Sequence, residues 1–305
     1  MKIKTLFLGT GWQSLETLKS LFNDSRFEII GIITQPDKPV GRKQELTPSD
    51  VKKFGLENNI PVFHTEKLKE KYQEALDLFK PELIVCIAFG EIVPEFFLEY
   101  PKYKSINIHF SLLPKYRGAV PIQMAILKGE KITGISIVQM VQKLDAGPIL
   151  KEYEEEIFDT DTNQTLRERL VKKGSEVLPD VLEQWCKGEI KAKEQDEAQA
   201  TYCYEREIAK EQAQINFETM DAQYIERMVR AFIPWPVVWC MLNNIRVKIF
   251  EAKVVEDIVL KPGEIKVSEN RLIVGTKEKS IEFLKLQPEG KTVMDVKQYL
   301  AGKKI

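Results

Sequence analysis

A chain of 305 residues, 43% hydrophobic and 30% charged, has the length of about two domains and an ordinary globular composition. No apolar run approaches the ~18 residues of a membrane span, and four scattered cysteines with no C-x-x-C pair argue against a disulfide framework or a thiolate zinc site. The net charge of −1 gives no global signal for nucleic acid, although residues 209–305 carry 16 Lys+Arg against 13 Asp+Glu.

The N-terminal run Lys4–Leu8 reads as a first strand, its apolar part too short for a leader. A helix over Ser14–Phe22, a strand over Phe27–Thr34 and a helix over Ser49–Asn58 follow. Strands are predicted at Leu83–Ala88, Ser105–Phe110 and Gly134–Met140, with a helix at Pro121–Leu127 between the last two. This β-α-β rhythm, with continuous apolar strands, predicts an α/β fold: a Rossmann-like, mostly parallel sheet covered on both faces. Leu166–Trp185 reads as a long amphipathic helix. The stretch from Gly188 to Ala200 is charged and aperiodic, as an extended linker would be. After a helix over Asp221–Phe232 come five short runs: Val237–Leu242, Val247–Val254, Gly263–Val267, Arg271–Gly275 and Ile281–Gln287. Their turn signals, among them Asn243-Asn244 and Glu269-Asn270, predict a small OB-like β-barrel.

The chemistry concentrates in Ser105–Pro114. Strand alternation puts Asn107 and His109 on one face. At the carboxyl end of a strand they would look into the crevice where open α/β sheets bind ligands. Asp145 follows the next strand, and a right-handed crossover would bring it to the same crevice. Amide, imidazole and carboxylate together suit acyl transfer to an amine. The amide or a protonated imidazole holds the oxyanion, and the imidazole, oriented by the carboxylate, moves the proton. A histidine beside an asparagine is more often a satisfied structural pair, so these residue types alone leave catalysis open. The other histidine, His64, sits after a short apolar run without polar company and reads as structural.

Longer motifs narrow the choice. The run Asn107-x-His109-x-Ser111-Leu112-Leu113-Pro114-x-Tyr116-Arg117-Gly118, with Pro121-Ile122-Gln123, Thr133-Gly134 and Leu144-Asp145-x-Gly147, resembles the formyltetrahydrofolate-dependent formyltransferases. Thr34–Arg42, Ala231-Phe232-Ile233-Pro234-Trp235-Pro236 and Leu286-Gln287-Pro288-x-Gly290-Lys291 are similar to the branch that acts on initiator methionyl-tRNA. The resemblance implies Asn107, His109 and Asp145 as the catalytic trio and 10-formyltetrahydrofolate as co-substrate, with no metal. It implies that Ser111, Leu112, Leu113 and Pro114 line the folate site. It also implies that Phe89, Gly90 and Ile92, within Phe89–Pro94, flank the pterin together with Gln139–Asp145, although Ile92 could equally be ordinary core. Arg42, in a charged loop Pro36–Lys52 that composition alone would leave solvated and mobile, would meet the acceptor end of tRNA. Arg227, Arg230, Arg246 and Lys248 are candidates for its backbone. The implied layout is a catalytic domain over 1–189, a linker over 190–208 and an OB-like, tRNA-binding barrel over 209–305, acting as a monomer in the cytoplasm away from membranes.

Gly11, Ile233 and Phe110 depart from the family pattern, and alternation points Phe110 away from the face of His109. Two other classes compete. Gly9-Thr10-Gly11 and Asp37 fit a nicotinamide-dependent dehydrogenase, but Ser14 stands where a third glycine or alanine belongs. A catalytically idle RNA-binding module would explain the tail and leave the trio without a task. Within the superfamily, another folate-dependent N-formyltransferase or a formyltetrahydrofolate hydrolase would use the same trio with a different acceptor.

Overall fold

The computed structural model describes residues 1–40, 44–64 and 68–301. Two compact units are interleaved in sequence. The first comprises Met1–Arg117, Gly134–Glu155 and Glu168–Tyr202; the second comprises Gly118–Thr133, Glu156–Arg167 and Cys203 onward.

The first unit is built on a seven-stranded sheet. Its order is Ile149–Glu156, Ile132–Gln139, Ser105–His109, Leu83–Ile87, Ile3–Gly9, Phe27–Thr34, Val62–His64. The pairs from Ser105–His109 to Val62–His64 are parallel. Leu83–Ile87 is buried at every residue, as expected of a strand covered on both faces. Strand Ile3–Gly9 lies between neighbours whose connections leave in opposite directions, the switch point at which such sheets open a crevice. The turn there is closed by Ser14. Its hydroxyl donates to the Ile87 carbonyl at 2.6 Å and accepts from the Thr10 amide at 3.1 Å. Asp37, the other residue that suggested a ribose site, is paired with Lys52 at 2.8 Å. The loop around it is also more ordered than its composition suggested, because Lys38–Val40 and Glu45–Thr47 pair antiparallel.

The crossover expected after His109 is absent. Ser105–His109 pairs antiparallel with Ile132–Gln139, Ile106 opposite Gln139 and His109 opposite Ser136. An antiparallel neighbour needs no crossover, and the helix Pro121–Lys128 between the two strands belongs to the second unit. The second strand therefore ends beside the start of the first.

Helix Asn163–Cys186 contains Pro179, which removes one intrahelical hydrogen bond to residue 175. The freed Ser175 carbonyl accepts from the Ser20 hydroxyl at 2.5 Å, and the Ser175 hydroxyl meets Thr17 at 3.2 Å. Helix Trp12–Phe22 is thereby fixed to the long helix through the defect the proline creates.

The second unit holds a curled antiparallel sheet, a half-barrel, in the order Trp239–Leu242, Ile245–Val255, Ser280–Pro288, Arg271–Gly275, Ile265–Ser268. Register irregularities around Glu251 bend its longest strand. Both two-residue turns have positive φ at each central residue, 50° and 62° at Asn243-Asn244 and 50° and 65° at Glu269-Asn270, the hand that matches strand twist. Helix Ala222–Ala231, capped by Asp221, buries Ala222, Ile225, Met228, Val229 and Ala231. It packs on Pro121–Lys128, whose residues 121–127 are all buried. No described helix is long and apolar enough to cross a membrane.

All four cysteines are free thiols. Burial pushes Cys86, Cys186 and Cys240 up to about 12, helped at Cys86 by the Asp145 carboxylate and at Cys186 by Glu82. Thiols raised in the fold stay protonated after those of the unfolded chain, near 9.0, have ionised. Stability from this source is therefore complete below pH 9 and falls between pH 9 and about 12. We expect an alkylating reagent at pH 8 to label Cys86 and Cys240 only after unfolding, and the half-buried Cys186 before them. Rapid labelling of native Cys86 would contradict the burial described.

Candidate active site

His109 ends its strand with 5% of its surface exposed. The turn that follows, through a cis Leu113–Pro114 bond and Tyr116 at φ 59°, brings the Tyr116 carbonyl 2.9 Å from Nε2. A carbonyl only accepts, so Nε2 carries a hydrogen and donates it. Nδ1 then faces Asp145, whose Oδ2 is 3.5 Å away, with both side chains largely buried. That is ion-pair range and longer than a good direct hydrogen bond. The backbone carbonyl, rather than the carboxylate, therefore sets the tautomer, and Nδ1 is the nitrogen left for chemistry. Asn107, two residues earlier on the same face, lies between Cys86 and Val138 in register. Among the described residues its side-chain amide has no hydrogen-bond partner, which leaves its N–H groups available to a ligand.

Asp145 reaches His109 without the crossover. Gln139 ends its strand beside Ile106, and its amide donates to the Pro148 carbonyl at 2.9 Å, closing the base of a loop. Residues 140–147 turn back from that base toward the histidine, with Asp145 at φ 50°. The 3.5 Å separation from His109 Nδ1 brings the Asp145 carboxylate to the histidine's end of this strand.

The turn and the loop share one support. The Gln195 amide nitrogen donates to the Asp145 and Gly147 carbonyls, each at 2.7 Å. Its Oε1 accepts from Arg117 Nε and Nη2 at 3.0 and 2.8 Å. Arg117 is fully buried and also donates to Glu197 and to the Tyr202 hydroxyl. Arg117 first and Lys143 second hold the Glu197 carboxyl down at about 2, so it is ionised at any working pH. Thr201 accepts from the Tyr116 amide at 2.8 Å through its hydroxyl and from the Arg117 amide at 2.8 Å through its carbonyl.

Two family models match: the formyl transferase family over residues 1–182 and the formyl transferase C-terminal domain over residues 207–304. The chain is 38% identical over 301 residues to the methionyl-tRNA formyltransferase of Thermodesulfovibrio yellowstonii, covering 98% of this chain and 96% of that one. It is 41% identical over 304 residues to that of Geobacillus sp. strain WCH70, covering 98% and 94%. The chain belongs to the methionyl-tRNA formyltransferase family. A crystal structure of an N-formyltransferase from Helicobacter canadensis with folinic acid and dTDP-3-aminofucose superposes with a TM-score of 0.69. It covers 94% of this chain and 99% of that one at 20% identity, a likeness of fold.

Within this family member, the residues expected to line the folate site divide by environment. The Ser111 hydroxyl is buried and donates to the Lys115 carbonyl at 2.7 Å. The Ser111 carbonyl accepts from Ser136 at 2.8 Å, and the Leu113 amide donates to the same Ser136 hydroxyl at 3.0 Å. Leu113 is buried with Val138 and Ile149, whereas Leu112 and Pro114 are half-buried, Leu112 resting against Gly134. The side chain of Phe89 lies in the core with Leu6, Leu8 and Cys86, so only its backbone can serve a ligand. Its carbonyl accepts from Gln35 at 2.8 Å, and Gly90 beside it is exposed at φ 77°. Ile92, which could have been ordinary core, is 83% exposed while Val93 is buried. Phe110 is half-buried. Arg42 lies outside the described residues. His64 ends the edge strand opposite Thr34, away from this cluster in the sheet order.

Tyr116 and Arg117 stand in the sequence motif without a role that the sequence assigns, and Gln195 stands outside every motif. A backbone carbonyl leaves no mark in composition, and Gln195 sits in a stretch of charges that reads as solvated. A Cβ at Gly147 would collide with the Gln139 carbonyl and thus with the base of the Asp145 loop. Gly147→Ala should cut turnover by at least about tenfold through displacement of that loop. Steady-state kinetics with a thermal melt checks this, and an unchanged kcat would show that the loop tolerates the move.

Proposed function

We propose that the protein transfers the formyl group of 10-formyltetrahydrofolate to the α-amino group of methionine on initiator tRNA, with Asn107, His109 and Asp145 as the reacting trio. The observation that carries this reading is the geometry at the strand end: an amide with no hydrogen-bond partner among the described residues, beside an imidazole whose Nδ1 faces a carboxylate.

The amine attacks the formyl carbon, a C–N bond forms and the carbonyl oxygen becomes an oxyanion. Asn107 donates an N–H to that oxyanion. The proton shed by the attacking nitrogen passes to the edge between Asp145 and His109 Nδ1. It returns to N10 of the folate as the bond between N10 and the formyl carbon breaks. Throughout, the Tyr116 carbonyl keeps Nε2 protonated and the ring in place. The exposed Gly90 and Ile92 and the half-buried Leu112 and Pro114 are the parts of the expected folate wall that can meet a ring system. No step needs a metal.

The acceptor reading rests on family membership and on the second unit. Of the four basic candidates there, Arg227 donates to the Leu127 carbonyl at 3.0 Å. Arg230 pairs with Glu226 and donates to the Asp161 carbonyl. Both are occupied within the unit. Arg246 and Lys248 instead line a cleft of ≈ 530 Å³ with Lys210, Trp235 and Trp239. Trp239, Lys248 and Gln287 are register partners across three strands and so share one face. Arg246 stacks on the Trp239 ring at 4.0 Å. Cations beside exposed aromatic faces on a curled sheet suit an RNA backbone with unpaired bases.

Formyl transfer measured against charged initiator tRNA, free methionine and an amino-sugar nucleotide tests the acceptor. Activity confined to the sugar would replace the tRNA reading with the alternative folate-dependent N-formyltransferase, and release of formate without transfer would indicate a hydrolase. Asn107→Ala should lower kcat by about 10²–10³ and His109→Ala by about 10²–10⁴, with small changes in KM. Replacing Arg246 and Lys248 by Glu should raise KM for the charged tRNA and flatten its dependence on salt by about one unit of log–log slope per lost phosphate contact. An unchanged slope would remove this cleft from the tRNA path.

A further inference from the structure

The segment between the two family matches, residues 183–206, has no role assigned by either. From Lys193 to Thr201 it runs without regular structure except for one 3₁₀ turn at Glu197–Gln199, and it is bonded to the rest of the first unit at both ends. Lys193 exchanges two backbone hydrogen bonds with Ile149, each 2.8 Å, and Thr201 donates to the Pro114 carbonyl at 3.2 Å. Between those anchors, Gln195 holds the carbonyl of Asp145 itself, and Thr201 holds the amide of Tyr116 itself. These are the two residues that flank the His109 ring, one on Nδ1 and one on Nε2. Buried Arg117 ties the two holds together, donating its side chain to Gln195 and its amide to Thr201.

We propose that residues 193–202 form a strap that sets both partners of the catalytic imidazole, and that Gln195 is a positioning residue for formyl transfer acting through Asp145. The proposal rests on the trio assigned above. A side chain that fixes two carbonyls of a loop, those of Asp145 and Gly147, restricts the carboxylate that the loop carries. Without those bonds Asp145 remains in the protein but samples positions beyond reach of Nδ1. The loss then falls on the chemical step and not on binding. Glu197, anchored by Arg117 and Lys143, gives the strap a second grip on the same loop.

Gln195→Glu separates the bonds cleanly. A carboxylate still accepts from Arg117, so that pairing is retained, but it has no hydrogen to give the Asp145 and Gly147 carbonyls. The test is a cycle of Gln195→Glu, Asp145→Asn and the double variant, measured as kcat and KM for formyl transfer to charged tRNA with thermal melts alongside. Gln195→Glu is expected to lower kcat by about 10–10² with little change in either KM or in the melting temperature. In the Asp145→Asn background, where there is no carboxylate left to place, the same change should have little further effect. Wild-type kcat in Gln195→Glu, or an equal loss in both backgrounds, would overturn the positioning role. If Asp145→Asn itself retained the wild-type rate, the trio would fail first and the strap's role with it, a result distinguishable from loss of the strap alone. Should Gln195→Glu not fold, Gln195→Met, neutral and of similar length, enters the same cycle; it gives up the Arg117 bonds as well, so what is read is whether its kcat loss vanishes in the Asp145→Asn background.

Discussion

The imidazole of His109 is held from two sides, and most of the first unit can be understood as what holds it. On one side a backbone carbonyl accepts from Nε2 at 2.9 Å; on the other a carboxylate stands 3.5 Å from Nδ1. A carbonyl has no second protonation state, so the assignment of the ring nitrogens does not drift with conditions as it would between two titratable partners. The cost of burying a polar ring is offset by those partners, which a sheet interior alone could not supply. The positive φ of Tyr116 and Asp145 follows from this demand, since both residues must turn sharply to reach a side chain at a strand's end.

The sheet delivers these groups by an arrangement that a purely parallel fold would not give. Because the strand after His109 runs antiparallel, the loop beyond it begins at the wrong end of the sheet and must come back. The returning loop is eight residues long, and its first amide, that of Met140, donates to the Ser105 carbonyl at 2.7 Å. It is fixed by its closed base, by Gly147 packed on Gln139, and by the strap. The same logic governs Pro179, whose missing hydrogen bond is made good by Ser20. In each case a local defect is repaired by a side chain distant in sequence, and the repair fixes two elements together.

Elements whose identity depends on local pattern were legible from residues alone. The strand bearing Asn107 and His109, the buried run Leu83–Ile87 and the five C-terminal strands fall within a few residues of their expected places. For the last group this is because Asn243-Asn244 and Glu269-Asn270 have turn chemistry that does not depend on context. What was not legible depends on partners. The direction of Ile132–Gln139 is not written in its own apolar pattern, which suits a parallel and an antiparallel neighbour alike. Strand Ile149–Glu156 was passed over because it stands at the sheet's edge and is rich in charge, as edges are. Gln195 is ordinary among its charged neighbours until the carbonyls it holds are seen. Asn107, His109 and Asp145 stand out through spacing and family likeness, whereas the backbone groups that surround the imidazole show only in the fold.

The chain has two histidines, so in a His64→Ala variant one imidazole remains, and its ring nitrogens can be read directly by nitrogen-15 magnetic resonance. The neutral ring of His109 should carry its proton on Nε2, with Nδ1 unprotonated and sensitive to Asp145→Asn. A ring protonated on Nδ1, with Nε2 free, would contradict the claim that the Tyr116 carbonyl fixes which nitrogen does the chemistry.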